Sequence, residues 1–157
     1  MRRFAGLKLS EALPDETTIL NSRHFLERYK LGDKIFQEVN RHLKVQGLML
    51  REGSIVDASI IDAPSSTKNE ERKRDPEMHQ TRKGKQWRFG MKMHNGVDDT
   101  LGLIHSLETT PANTHDLRVV GQLLHGEEER VFGDSGYRGI EYHLAPKKRK
   151  AKHFSFS

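Results

Sequence analysis

Two aspartates stand in settings suited to meeting around a metal ion. Asp134 ends the apolar run Val131-Phe132-Gly133, and Ser135-Gly136-Tyr137-Arg138-Gly139 follows at once as a small, glycine-rich turn. Strand, acid, turn, helix is how an α/β sheet offers a side chain at the carboxyl end of a strand, where such sheets bind ligands. Asp57 is the single acid inside a second apolar strand, Ser54-Ile55-Val56-Asp57-Ala58-Ser59-Ile60-Ile61. Period-two alternation puts Val56, Ala58 and Ile60 on one face and Ile55, Asp57, Ser59 and Ile61 on the other. Apolar residues on both faces predict a central strand covered on both sides. An ionised carboxylate there needs a partner. A divalent ion shared with Asp134 is one such partner; backbone donors are the other. Asp62 falls on the opposite face at the strand end and ranks below Asp57.

The elements that must hold these acids apart from water and near each other come from a chain of 157 residues, enough for one domain with a core. The core is lean, because 34% of residues are hydrophobic and 31% charged. Nothing in the chain is apolar for long enough to span a membrane, and no signal-peptide pattern is present. Cysteine is absent, which excludes disulfides and thiolate metal sites and fits a cytoplasmic protein. A net charge of +5, with the basic residues clustered, favours a polyanionic partner, most simply nucleic acid.

Asp15 reads as the N-cap of a helix running to about Tyr29, with Glu16 in its first turn. Leu31, Ile35, Val39 and Leu43 recur every four residues toward Gly47, which sits where a C-terminal glycine belongs. Residues 1–50 therefore form an N-terminal segment built on a helical hairpin. Residues 63–86 lack core periodicity and form a long charged loop, expected to be functional or a solvated charge run. Arg82, Lys83, Lys85, Arg88 and Lys92 place basic groups near Trp87 and Phe89, a combination that can track a phosphate backbone. In residues 87–94, Trp87, Phe89, Met91 and Met93 face one side, and Arg88, Gly90, Lys92 and His94 the other. This half-buried strand pairs in a hairpin with a strand from Leu103 to Thr109. His94 and His105 read as structural or exposed rather than as ligands. A helix carrying Leu117, Val120 and Leu124 follows, capped by Asn113 or Thr114, with Asp116 placed in its first turn. A short helix spans Gly136 to His143, and residues 146–157 form a basic tail.

A strand, a strand hairpin, a helix and a strand returning beside the first is the start of an RNase H-like mixed α/β sheet over residues 51–145. In that topology Asp57 and Asp134 lie side by side. The segments Asp15-Glu16-Thr17-Thr18-Ile19, Ile55 to Ile61, Met78 to Gly84, Trp87 to Lys92, Asn113-x-His115-Asp116 and Gly133 to Gly139 occur in this order. Together, from about Arg3 to Ile140, they resemble the DDE transposases of bacterial insertion sequences with the insertion-sequence-four and -five type of core.

The resemblance implies that Asp57 and Asp134 are catalytic and hold two Mg2+ ions. It implies further that water cuts the element end, and that the freed 3′-hydroxyl attacks target DNA. The terminal inverted repeats and the target would be the DNA partners, contacted by the basic residues above and by Arg138, and the complete protein would act as a homodimer on the nucleoid. The family's third acid, a Glu in a Tyr-x-x-Arg-x-x-x-Glu-x-x-x-x-x-x-Lys pattern, has no counterpart in this sequence. Glu141 follows Asp134 too closely, about 10 Å along a helix axis. The expectation is a shortened, inactive transposase whose sheet is incomplete at the C-terminus, leaving the strand before Asp134 as a bare edge. The alternative is a non-catalytic DNA-binding or dimerising remnant that modulates a complete transposase.

Overall fold

A computed structural model describes residues 13–49, 52–65, 67, 72–144, 151 and 153–156. The chain divides into two units, Met1–His42 and Leu43–Ser157. Helix α1 spans Glu16–Arg28 and helix α2 spans Leu31–Val45. Asp15 caps α1 as expected, its carboxylate accepting from the Thr18 amide at 2.7 Å. At the end of α2, Gly47 takes a φ of 70°. Leu48 N–H then donates to Leu43 C=O, and Gly47 N–H to Lys44 C=O. These are the two bonds of a Schellman ending, which a glycine at this position permits. Neither helix buries a side chain among the described residues.

The second unit is a six-stranded mixed sheet: β1 Gly53–Asp62, β2 His79–Lys83, β3 Gln86–Asp98, β4 Ile104–Pro111, β5 Arg130–Gly133 and β6 His153–Phe156. The order is β2-β3-β1-β5-β6, with β4 also on β3. β3 is long enough to serve two partners in succession, β2 through Gln86–Gly90 and β4 through Met91–Val97. β1 and β3 are antiparallel, whereas β1, β5 and β6 run parallel. A meander followed by a crossover to a parallel strand beside β1 is the RNase H-like arrangement expected from the element order.

The crossover between β4 and β5 is less helical than predicted. It consists of a 3-10 turn, Asp116–Arg118, and one turn of helix α3, Val120–Leu123. The cap is not Asn113 or Thr114. The His115 ring accepts from the Leu117 amide at 3.3 Å instead. The segment after Asp134 divides likewise into a 3-10 turn, Ser135–Tyr137, and helix α4, Ile140–His143. Gly139 separates them with a φ of 83°, a left-handed conformation that a continuous helix cannot contain.

The core joins Val56 of β1 and Val131 of β5 to Val119, Val120, Leu123, Leu124, Tyr137, Ile140 and Leu144. It lies on one face of the sheet. Ile55 and Ile61, on the Asp57 face of β1, remain 40% and 51% exposed. Among the described residues β1 is therefore covered on one side, and the expected double cover is corrected. The side chosen on β3 is also unexpected. His94 and Asp98 are buried on one face, whereas on the other Phe89 is buried but Trp87 is 68% exposed. The reason lies in Gly96, on the same face as His94. A Cβ at Gly96 would stand 2.8 Å from the Leu123 carbonyl oxygen, so α3 packs where glycine leaves room. Two of the polar groups drawn under it, His94 Nε2 and the Asp98 carboxylate, find local partners, whereas His94 Nδ1 has none among the described residues. His94 bonds the Thr110 hydroxyl at 2.8 Å, and Asp98 accepts from the Thr100 and Leu101 amides of the hairpin turn.

Two further differences concern the segments expected to be irregular. The charged loop 63–86 contains β2, which pairs with β3 across the two-residue turn Gly84-Lys85. Gly84 alone there has a positive φ, the pattern of a II′ hairpin turn. In the tail, His153–Phe156 forms β6, and Phe154 and Phe156 pack against the core. The edge of β5 is thus covered rather than bare. The basic run Lys147 to Lys150 lies outside the described residues.

Candidate active site

Asp57 and Asp134 reach one place because of strand register. β1 and β5 are parallel, with Val56 beside Gly133. The next residue on β1 is Asp57, the first residue beyond the end of β5 is Asp134, and adjacent strands lie about 4.8 Å apart. Asp134 keeps an extended backbone as β5 ends, and its Oδ1 accepts from the Gly136 amide at 2.9 Å. That bond turns the chain sharply and brings the carboxylate close over Gly136. A Cβ at Gly136 would come within 3.0 Å of Asp134 Oδ1. Both aspartates are solvent-exposed, so neither carries the desolvation cost expected for an acid in a doubly covered strand.

A third carboxylate stands close to this pair. The same Cβ position on Gly136 lies 3.8 Å from Asp116 Oδ2. Asp116 sits in the first turn of the crossover, as expected, but its carboxylate has a larger engagement than a helix end. Lys92 Nζ donates to Asp116 Oδ1 and to the Thr114 carbonyl, each at 2.8 Å. His94 Nδ1 lies 3.8 Å from the same Oδ1 and makes no hydrogen bond there. Burial pushes the His94 pKa below its ordinary value; Asp116 opposes that shift and Lys92 adds to it. Neutral imidazole is therefore the form the site holds.

Tyr137 lies beneath the carboxylates. Its ring packs on Gly133, where an added Cβ would meet it at 3.2 Å. The side chain is fully buried and its hydroxyl has no hydrogen-bond partner among the described residues. Burial first, then the charges of Asp116, Asp57 and Asp134, push the hydroxyl pKa far above its ordinary value. The phenol is thus a fixed, protonated group near three acids.

The basic residues singled out in the sequence do not share one fate. Arg82, Lys83 and Lys85 are exposed on the β2–β3 hairpin, and Arg82 Nε also bonds the Gly84 carbonyl. Arg88 is partly covered and pairs with Asp62. Lys92 is committed to Asp116, its side chain only 14% exposed. Arg138 is exposed just beyond the turn after Asp134. Sequence pattern had grouped Lys92 with the hairpin cations and treated Asp116 as an electrostatic complement to a helix. Their pairing joins residues 24 positions apart, across β3 and the crossover, and no local spacing signals it. The co-occurrence of Asn113-x-His115-Asp116 with the two acidic strands was the only hint.

Asp57 and Asp134 provide hard oxygen donors open to solvent, which suit a divalent ion that keeps water or substrate oxygens in its other positions. Among the described residues, no three His, Cys, Asp or Glu side chains are grouped so that they could together hold an ion. Asp116 is accordingly a neighbour of the pair, held by Lys92. No described helix is long and apolar enough to cross a membrane. A family model described as "Transposase DDE domain" matches residues 49–155, a span that includes both aspartates, strands β1 to β5 and all but the last residue of β6. No solved structure matches the chain.

Proposed function

We propose that this chain, which belongs to the transposase DDE-domain family, uses Asp57 and Asp134 as its metal-binding and catalytic carboxylates on DNA. The carrying observation is the parallel β1–β5 register, whose last pair, Val56 and Gly133, is followed on each chain segment by one of the two exposed acids. DNA is the substrate class of a transposase, and such domains generally work with divalent ions. The residues present fit such an ion with two carboxylates. Mg2+ is the ion the all-oxygen donor set suits, and bound there it would polarise a phosphodiester and activate an attacking oxygen. Exposed Arg82, Lys83, Lys85 and Arg138 would position the phosphate backbone, a role that fixes register without reading bases. Lys92 would act indirectly by fixing Asp116.

The chain's own residues account for binding and orientation better than for a full reaction. The third acid of the family pattern is missing from the sequence, and Asp116 is tied to Lys92. We therefore expect weak Mg2+ binding and DNA binding without strand transfer by this chain alone. Calorimetric titration with Mg2+ and electron paramagnetic resonance of added Mn2+ test the site. Asp57→Ala or Asp134→Ala should abolish the bound-Mn2+ signal while the far-ultraviolet circular dichroism is retained. An unchanged signal in both variants would remove these residues from the site. Strand transfer catalysed by the purified chain would refute the expected inactivity.

A further inference from the structure

The β2–β3 hairpin projects beyond the end of β1, whose last paired residue, Asp62, stands opposite Gly90. From Gln86 to Phe89 the β1-facing edge of β3 is therefore largely unpaired; the Ala63 amide reaches only the Phe89 carbonyl. A cleft of about 580 Å³ opens there, and Asp62, Gln80, Gln86, Trp87, Arg88 and Phe89 are among its lining residues. Its size falls within the range, roughly 300–1,000 Å³, of small-molecule sites.

Three features of the lining point to one ligand chemistry. Trp87 is 68% exposed, an unusual place for an indole that serves only packing. Gln80 and Gln86 carry amides, which supply both donors and acceptors. Arg88 is held by Asp62 through one guanidinium nitrogen, while its buried Nε has no hydrogen-bond partner among the described residues. Around the cleft, Arg82, paired in register with Trp87, and Lys83 and Lys85 at the hairpin tip are exposed. An aromatic platform, amides beside it and cations at its rim match a base attached to a charged backbone.

We propose that this cleft binds an unpaired nucleotide of single-stranded DNA, with the base stacked on Trp87 and its phosphates held by Arg82, Lys83 and Lys85. A duplex keeps its base faces stacked on one another and cannot present one to the indole without opening. The inference rests on DNA being the substrate, as proposed above, but not on the metal-binding aspartates.

Trp87 is the single tryptophan of the chain, so its fluorescence reports the cleft directly. Titration with a short oligothymidine should quench its emission, and a matched duplex should do so at least tenfold less effectively. Anisotropy of a labelled oligothymidine should show about tenfold weaker binding for Trp87→Ala and a smaller loss for Trp87→Phe, in which a ring remains. The Asp57→Ala/Asp134→Ala double variant should be quenched like the wild type, so that failure of the metal site leaves this test intact. Single-strand binding without a change in tryptophan emission, equal quenching by duplex, or wild-type affinity in Trp87→Ala would each overturn the proposal.

Discussion

Lys92 and Asp116 show how a residue's meaning is set by what it touches. Each alone reads as surface charge, one a phosphate contact and the other a first-turn acid. Together they form a largely covered ion pair whose removal from one side leaves the other without its partner. Lys92→Met should therefore destabilise the fold by about 1–3 kcal/mol in urea unfolding. Asp116→Asn should do likewise, and the double variant should lose clearly less than the sum. Additive losses would mean that the two side chains act independently. Gly90 makes a related point about shape. Its φ of 154° and the Ile61 carbonyl oxygen, 2.0 Å from where a Cβ would sit, leave no room for a side chain where β1 and β3 part.

At the scale of elements, β6 changes the account of the molecule most. Its four residues extend the parallel β1–β5 pair by one strand and add Phe154 and Phe156 to the edge of the core. A parallel edge strand left open would offer unpaired backbone groups to other chains. The double variant Phe154→Ala/Phe156→Ala should loosen β6, uncover β5 and shift the sedimentation profile toward larger species than the wild type gives. An unchanged profile would show that backbone pairing alone keeps β6 in place. β2 is the opposite case, a strand none of whose residues is buried. The II′ turn and its cross-strand pairs with β3 hold it in place.

For the whole molecule, the lean core is placed on one face of a mixed sheet, and polar groups are carried into it. His94 is the consequence that pH can probe. Its folded pKa is depressed, so below the unfolded value, about 6.5, the unfolded chain binds a proton that the folded chain refuses. The stability that His94 permits is thus present above that pH and lost as pH falls through and below it, with a slope of at most about 1.4 kcal/mol per pH unit. The urea midpoint should drop between about pH 7.5 and about pH 5.5, and His94→Gln should flatten part of that drop. Identical pH profiles for variant and wild type would exclude His94 as the source.

Much of the arrangement was legible in local pattern. The Asp15 cap, the Gly47 ending, the alternation around Asp57 and the strand-acid-turn at Asp134 are set within a few residues, where backbone preference and side-chain period suffice. The strand order followed from the element order, because few crossovers return a strand parallel to the first. What tertiary structure decided was which faces are buried and which distant residues meet. Period-two alternation states that β3 has two faces but not which one α3 covers; Gly96 settled that by admitting the helix backbone. Likewise β6 gains its stability from β5 and the core rather than from its four residues, and the Lys92–Asp116 pair exists only once the crossover lies over β3.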